Sequence, residues 1–149
     1  MSSSKKKVSV IIPVHNGGSK FHQCLSSLYE CSPCPDEVIV VADGDSDGSW
    51  QAAAAFNAKI LKTSFPQGPA GARNLGAANA EGDILFFVDA DVSLAKDAIR
   101  LVIETFEGDG ISAAVIGSYD DEPMETNFLS QYKNLFHHYI HQTSNIEAS

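Results

Sequence analysis

Short apolar runs alternate in strict order with stretches of helical periodicity along this chain, and that order restricts the fold more than any other feature. The runs are Val8–Ile12, stopped by Pro13, then Glu37–Val41, the shorter Ala58–Lys62, the most hydrophobic Asp83–Val88, and Ser112–Ile116. Between the first two, Phe21, Cys24, Leu25 and Leu28 recur at helical spacing, with Ser19 placed to cap the helix and Pro33 and Pro35 ending it. Further helices are predicted over Trp50–Phe56, Ala72–Ala80 and Lys96–Phe106, the last burying Ile99, Val102, Ile103 and Phe106. A final helix over Asn127–Gln142 puts Phe128, Tyr132, Leu135, Phe136, Tyr139 and Ile140 on one face. Continuous apolar strands suit burial on both faces, so the order predicts an α/β fold with a mostly parallel sheet flanked by helices. Such sheets bind ligands beyond the carboxyl ends of their strands, where strand order reverses. His15-Asn16, Asp43 and Asp89-Ala-Asp91 follow strands one, two and four, and Arg73 opens the helix after strand three.

The 149 residues are one domain's worth of chain, read as a disordered basic arm over 1–7 and a single domain over 8–149. With 10 Lys+Arg against 19 Asp+Glu the net charge is −9, which argues against nucleic acid and anionic membrane as general partners. An acidic protein that takes a phosphorylated ligand needs a cation to mediate. Cys24, Cys31 and Cys34 are odd in number and crowded, which is no disulfide framework and fits a reducing cytosol. Cys31-Ser-Pro-Cys34 is half a zinc site whose second half is missing. The apolar run after the basic arm is too short for a signal peptide, and no transmembrane stretch is present.

Asp89-Ala-Asp91 is the sharpest chemical signal. Two carboxylates this close repel unless a cation sits beside them. Oxygen-only ligation suits Mg²⁺ or Mn²⁺, with water and substrate phosphates completing the shell. Acids can also simply end a strand and cap the next turn. Asp43 is placed to accept hydrogen bonds from a ring N–H or a ribose hydroxyl. Asp47 reads as an N-cap or first-turn acid of the next helix, and the Asp43–Asp47 segment lacks the Gly and Glu positions of a calcium loop. Gly68-Pro-Ala-Gly71 reads as a loop leading to a helix N-terminus whose free N–H groups attract anions, and Arg73 adds a cation able to grip phosphate. His137, His138 and His141 lie opposite the apolar face of the last helix and read as exposed or as contacts for something outside the chain.

Together, Val8-Ser-Val-Ile-Ile-Pro-Val-His-Asn16, Val38-Ile-Val-Val-Ala-Asp-Gly-Asp-Ser-Asp47, Gly71-Ala-Arg-Asn-Leu-Gly76 and Ile84-Leu-Phe-Phe-Val-Asp-Ala-Asp91 resemble the inverting family 2 glycosyltransferases of GT-A fold. The resemblance implies a nucleotide-diphosphate sugar donor, most often a UDP-sugar, and transfer with inversion. It implies that Pro13, Val14, His15 and Asn16 line the nucleotide site, with the first three against the base. Asp43 would hydrogen-bond the uracil, Arg73 approach the base or diphosphate, Asp89 the ribose and metal side, and Asp91 ligate Mn²⁺ or Mg²⁺. Two positions depart from the pattern: Ala42 stands where an acid is common, and so does Gly17 after Asn16.

Family 2 domains continue into an acceptor-binding half carrying the catalytic base, so the chain is expected to be the donor-binding portion, truncated before that half. The acids Asp120, Asp121 and Glu122 are not assigned as the base. The acceptor, whether glycan, lipid or small molecule, is left open. The last helix, partly uncovered, offers a surface for a homodimer, and the full protein is expected in the cytoplasm or at the membrane's cytoplasmic face. Two alternatives stand beside this reading. One is a nucleotide-binding module without catalysis, which sugar transfer or UDP-sugar hydrolysis would exclude. The other is an aspartate-nucleophile phosphohydrolase, whose acid motif belongs on the first strand, not the fourth.

Overall fold

A computed structural model of the chain describes residues 5–108, 113–118 and 128–143. The chain divides into two compact units, Met1–Gly110 and Ile111–Ser149. The first unit holds a parallel four-stranded sheet built from β1 (Val8–Val14), β2 (Glu37–Asp43), β3 (Lys59–Thr63) and β4 (Ile84–Phe87), in the order β3-β2-β1-β4. Its helices are α1 (Gly18–Tyr29), α2 (Ser49–Ala55), α3 (Gly68–Ala78) and α4 (Ala98–Gly108). Of the expected basic arm, residues 1–4 lie outside the described residues. Lys6 Nζ donates to the Phe106 carbonyl and the Lys7 N–H to Asp83.

Strand alternation explains the two-sided core. Val8, Val10, Ile12 and Val14 of β1, with Val38, Val40 and Ala42 of β2, join Phe21, Leu25 and Leu28 of α1 and Ile99 and Ile103 of α4 on one face. Ile11, Ile39 and Val41 meet Ala72 of α3 on the other. Successive side chains point to opposite faces, so strands covered on both sides are apolar through their middles, as β1 is apart from Ser9 and β2 is between Glu37 and Asp43. Gly76 brings α3 this close: a Cβ there would run into the Ile11 side chain.

The connections create a crevice at the carboxyl edge of the sheet. β1, β2 and β3 step outward in one direction, with α1 and α2 on the first face, and the chain then crosses back over α3 to lay β4 on the other side of β1. Strand order therefore reverses at β1, and the crevice beyond its carboxyl end lies between a helix on each face.

Several boundaries differ from those expected. Gly17, not Ser19, precedes α1, and it offers no side-chain cap. α3 starts at Gly68, well before Ala72, with Pro69 in its first turn where a missing N–H costs nothing. Residues 113–118 carry no strand, and Val115 and Ile116 are exposed, so the expected fifth strand is absent from its described part. A run this short stays extended only on a neighbouring ladder, and no strand pairs with it among the described residues.

The second unit contains α5 (Phe128–Thr143). Phe128, Tyr132, Leu135, Phe136, Tyr139 and Ile140 are all exposed, and Tyr132 stacks with both Phe128 and Phe136. His138 is half-buried rather than exposed, and the side chains of His137 and His141 lie outside the described residues. So do Asp120, Asp121 and Glu122. No helix among the described residues is long and apolar enough to cross a membrane.

Candidate donor site at the carboxyl edge of the sheet

The ends of β1 and β2 are tied together by side chains that act as backbone partners. Asn16, held at φ 53°, accepts on Oδ1 from the Ser46 N–H, the Ser46 hydroxyl and the Asp47 N–H. Asn is among the few residues that tolerate this left-handed conformation. Asp45 returns the contact by accepting from the Asn16 N–H. Asp47 accepts from the N–H and hydroxyl of Ser49 and from the Gly18 N–H, so it serves the starts of two helices at once. The residue immediately before α2 is nevertheless Gly48, at φ 80°. The Ser49 hydroxyl in turn accepts from Gly17 and Gly18.

This network fixes a tautomer. With Asn16 Oδ1 occupied as an acceptor, its Nδ2 faces His15 Nε2 at 3.4 Å as donor. Nε2 is then the accepting nitrogen, and Nδ1–H donates to the Asp43 carbonyl at 2.7 Å.

Asp43 is buried, 4% exposed, at the end of β2. Its carboxylate accepts from the Thr63 hydroxyl at 2.7 Å, from the Gln67 N–H at 2.8 and 2.9 Å, and from the Gly68 N–H at 2.8 Å. Burial pushes its pKa up, but Gln67, Thr63 and Gly68, with His15 nearby, outweigh it and hold the carboxyl below the usual range. The N-terminus of α3, read from sequence as a free anion cradle, is thus capped by Asp43 from another strand. Gly44, at φ +63°, lets the chain turn here against Pro66, where a Cβ would lie 2.7 Å from the ring.

On the other side of β1, the Val88 N–H extends the ladder to the Ile11 carbonyl and a turn closes with Val92 N–H on the Asp89 carbonyl. Asp89 and Asp91 are both exposed in this turn. Arg73 Nη2 reaches from α3 to Asp89 Oδ1 at 2.5 Å, so the structure pairs these two expected site residues. Beneath them lies Cys24, whose thiol faces the Asp89 carbonyl at 3.6 Å. Burial, then the negative charges of Asp91 and Asp89, push that thiol up to about 12. All three cysteines are free thiols.

Pro13 is half-buried, and the Val14 side chain belongs to the core, which leaves its backbone as the part able to face a ligand. Ala42 is buried as well, so an acid at that position would sit in the core. A Cβ on Gly17 would lie 2.6 Å from Phe21 Cβ and 2.8 Å from Val14 Cγ2, so the missing acid there follows from packing. The sequence reading missed Thr63, Gln67 and Ser49 as organisers of the site. A hydroxyl one strand away, at the end of the shorter third strand, was the available signal.

Asp89 and Asp91 supply hard oxygen donors that fit Mg²⁺ or Mn²⁺ as part of a shell. Among the described residues no group of three His, Cys, Asp or Glu side chains could hold a metal unaided. The donor set therefore suits a metal that keeps waters or takes ligand phosphates.

The model of the family described as glycosyl transferase family 2 matches residues 9–147. The chain belongs to this family. Glycosyltransferase AglE of Haloferax volcanii is 34% identical over 118 residues, which are 74% of this chain and 39% of AglE. Among solved structures, S. aureus TarS 1-349 in complex with UDP superposes with a TM-score of 0.65 at 25% identity, over 78% of this chain and 40% of that one. Glucosyl-3-phosphoglycerate synthase from Mycobacterium tuberculosis, in complex with Mn²⁺, UDP and glucosyl-3-phosphoglycerate, gives 0.58 at 26% identity, over 71% and 42%. The chain thus spans about two fifths of the length of these relatives, and its fold is GT-A-like.

Proposed function

We propose that this chain binds the nucleotide-diphosphate sugar donor of a metal-assisted, inverting glycosyltransferase, with a UDP-sugar favoured. The observation that carries the reading is the acid pair at the reversal point of the sheet, with Arg73 already drawn to its first member. Relatives that hold UDP, and in one case Mn²⁺, support it.

In this reading Pro13, Val14, His15, Asn16 and Asp43 form the base side of the pocket, and Arg73 and Asp89 the ribose and diphosphate side. Asp91, with Asp89, would hold Mn²⁺ or Mg²⁺, and a bound metal would offset diphosphate charge and stabilise the departing nucleotide. His15, fixed as the Nδ1–H tautomer, is oriented before the ligand arrives. Arg73 supplies charge on a rigid helix, which stabilises developing negative charge without reorganisation. The acceptor hydroxyl would attack the anomeric carbon opposite the leaving phosphate as the sugar–phosphate bond breaks, which inverts that centre. None of these residues is assigned as the base. The acceptor is a glycan, a lipid or a small molecule, and the surroundings are the cytoplasm or its membrane face.

Calorimetric titration of UDP and of GDP, with and without Mn²⁺, tests the reading beside an Asp91→Ala variant. UDP binding that needs Mn²⁺ and is lost in the variant supports it. Binding of neither nucleotide by folded protein overturns it.

A further inference from the structure

One side of α1 makes a series of polar contacts with the segment that follows β4, at the edge of the apolar core to which Cys24 and Cys31 belong. The Cys24 thiol faces the Asp89 carbonyl at 3.6 Å. One turn on, the Ser27 hydroxyl donates to the Cys24 carbonyl at 2.8 Å and accepts from the Leu94 N–H at 3.0 Å. Just past the helix, the Cys31 thiol lies 3.5 Å from the Ala95 carbonyl, and the Ser32 N–H donates to the Lys96 carbonyl at 2.8 Å. Positions 24 and 27 share a face of α1, and Cys31 and Ser32 follow directly on its end, so the four contacts form one row. Their partners span residues 89–96, the segment that begins with the acid pair.

Ala90, Val92 and Leu94 also pack against the apolar core, but the backbone hydrogen bonds that hold the segment's course are few. Beyond Val88 it leaves the β4–β1 ladder, and its own turn is closed by the Val92 N–H on the Asp89 carbonyl. The acid pair itself is exposed, and the Arg73 partner of Asp89 is a flexible side chain about one third exposed. Two ligands one residue apart bind a common metal only if the backbone between them holds a fixed course. The Ser27 hydroxyl suits that task because it closes a path from the α1 backbone to a Leu94 N–H that no ladder uses.

We infer that Ser27, flanked by Cys24 and Cys31, is a positioning residue that sets the course of residues 89–96 and thereby the metal affinity of Asp89 and Asp91. This rests on the donor-site reading above. Partners behind a metal's direct ligands change its affinity about 10–100-fold when removed. A Ser27→Ala variant should thus raise the Mn²⁺ concentration needed for half-maximal UDP binding about tenfold, with UDP affinity at saturating Mn²⁺ unchanged. Ser27→Thr keeps the hydroxyl and should restore the midpoint.

Hydrogen exchange on the free 149-residue chain separates this inference from the functional reading. Ser27→Ala should speed exchange across residues 89–96, Leu94 most, while the α1 amides stay protected. Unchanged exchange there overturns the positioning role, whatever the nucleotide data show. Faster exchange with an unchanged Mn²⁺ midpoint overturns the link to metal. A loss of UDP affinity that saturating Mn²⁺ does not restore overturns it too, since that is general damage. If the unaltered chain binds no UDP at any Mn²⁺ concentration, the donor-site reading fails and the inference falls with it.

Discussion

At the ends of β1 and β2 the carboxylates of Asp43, Asp45 and Asp47 all accept backbone N–H groups, whereas in the turn after β4 Asp89 meets one arginine side chain and Asp91 is exposed. The first region spends its negative charge on its own architecture. The second keeps its charge where a cation can reach it. Residues of one type, on one edge of one sheet, are therefore expected to respond in opposite ways to the loss of a charge: the first in stability, the second in ligand binding.

The largest expected effect is at Asp43. In Asp43→Asn an amide replaces an oxygen among three donors, so a charge-assisted acceptor is lost and a buried N–H meets another. We expect about 3 kcal/mol of destabilisation, seen as a melting temperature roughly 6–12 °C lower. Asp91→Asn should leave the melting temperature within about 2 °C and remove Mn²⁺-dependent UDP binding. The reverse ranking of the two melting temperatures would break the comparison.

Acid should expose the same asymmetry. Burial raises the Asp43 carboxyl, but its donors outweigh burial and set it below its ordinary value of 3.8. Glu37 at the opposite edge is likewise raised by burial and, on balance, lowered by the Ser9 hydroxyl, the Glu81 N–H and Lys59. A group depressed in the folded state binds its proton more readily when unfolded. Its stabilisation is full above the ordinary value and is lost as pH falls through the depressed one. Urea midpoints measured from pH 7 downward should fall steeply once the carboxylate range is entered, and less steeply in Asp43→Asn. Equal slopes would mean that Asp43 is not held by these donors.

Asn16 should show a smaller effect of two separable kinds. Asn16→Ala removes the acceptor of three donors and places a Cβ without a polar tip at φ 53°, for about 1–2 kcal/mol. Asn16→Gly relieves the backbone part and should recover about half of that loss. If glycine is no better than alanine in chemical denaturation, the hydrogen bonds carry the whole effect.

What could be read from the sequence follows the same division. Strands buried on both faces must be largely continuous apolar runs, so β1 and β2 were legible from local pattern alone; β4 reads the same way, although Leu85 and Phe87 leave one of its faces exposed, and the acids after β2 and β4 were legible with them. The start of α3 was not: Gly68-Pro-Ala-Gly71 has loop composition, and the group that caps the helix, Asp43, lies 25 residues earlier on another strand. The partners of Asp43 were hidden for the same reason, because Thr63, Gln67 and Gly68 become its neighbours only once β2 and β3 pair. The run at Ser112–Ile116 has strand composition without a described ladder, and composition alone cannot say whether a partner exists.

The smallest expected effect is on the Arg73–Asp89 pair. Its side chains are 35% and 59% exposed, so water screens the attraction and two flexible groups lose freedom in making it. A double-mutant cycle through Arg73→Gln and Asp89→Asn should give a coupling of about 0.2–1 kcal/mol in low salt. That coupling should largely vanish near 1 M salt, where the screening length shrinks to about 3 Å. A pair this weak leaves both partners free to exchange, Asp89 towards a metal and Arg73 towards a diphosphate, at little cost to the fold. A coupling of about 3 kcal/mol or more, of the size found when buried pairs are broken, would mean that the turn after β4 is held together as firmly as the loops after β1 and β2. The contrast between the two regions would then be lost.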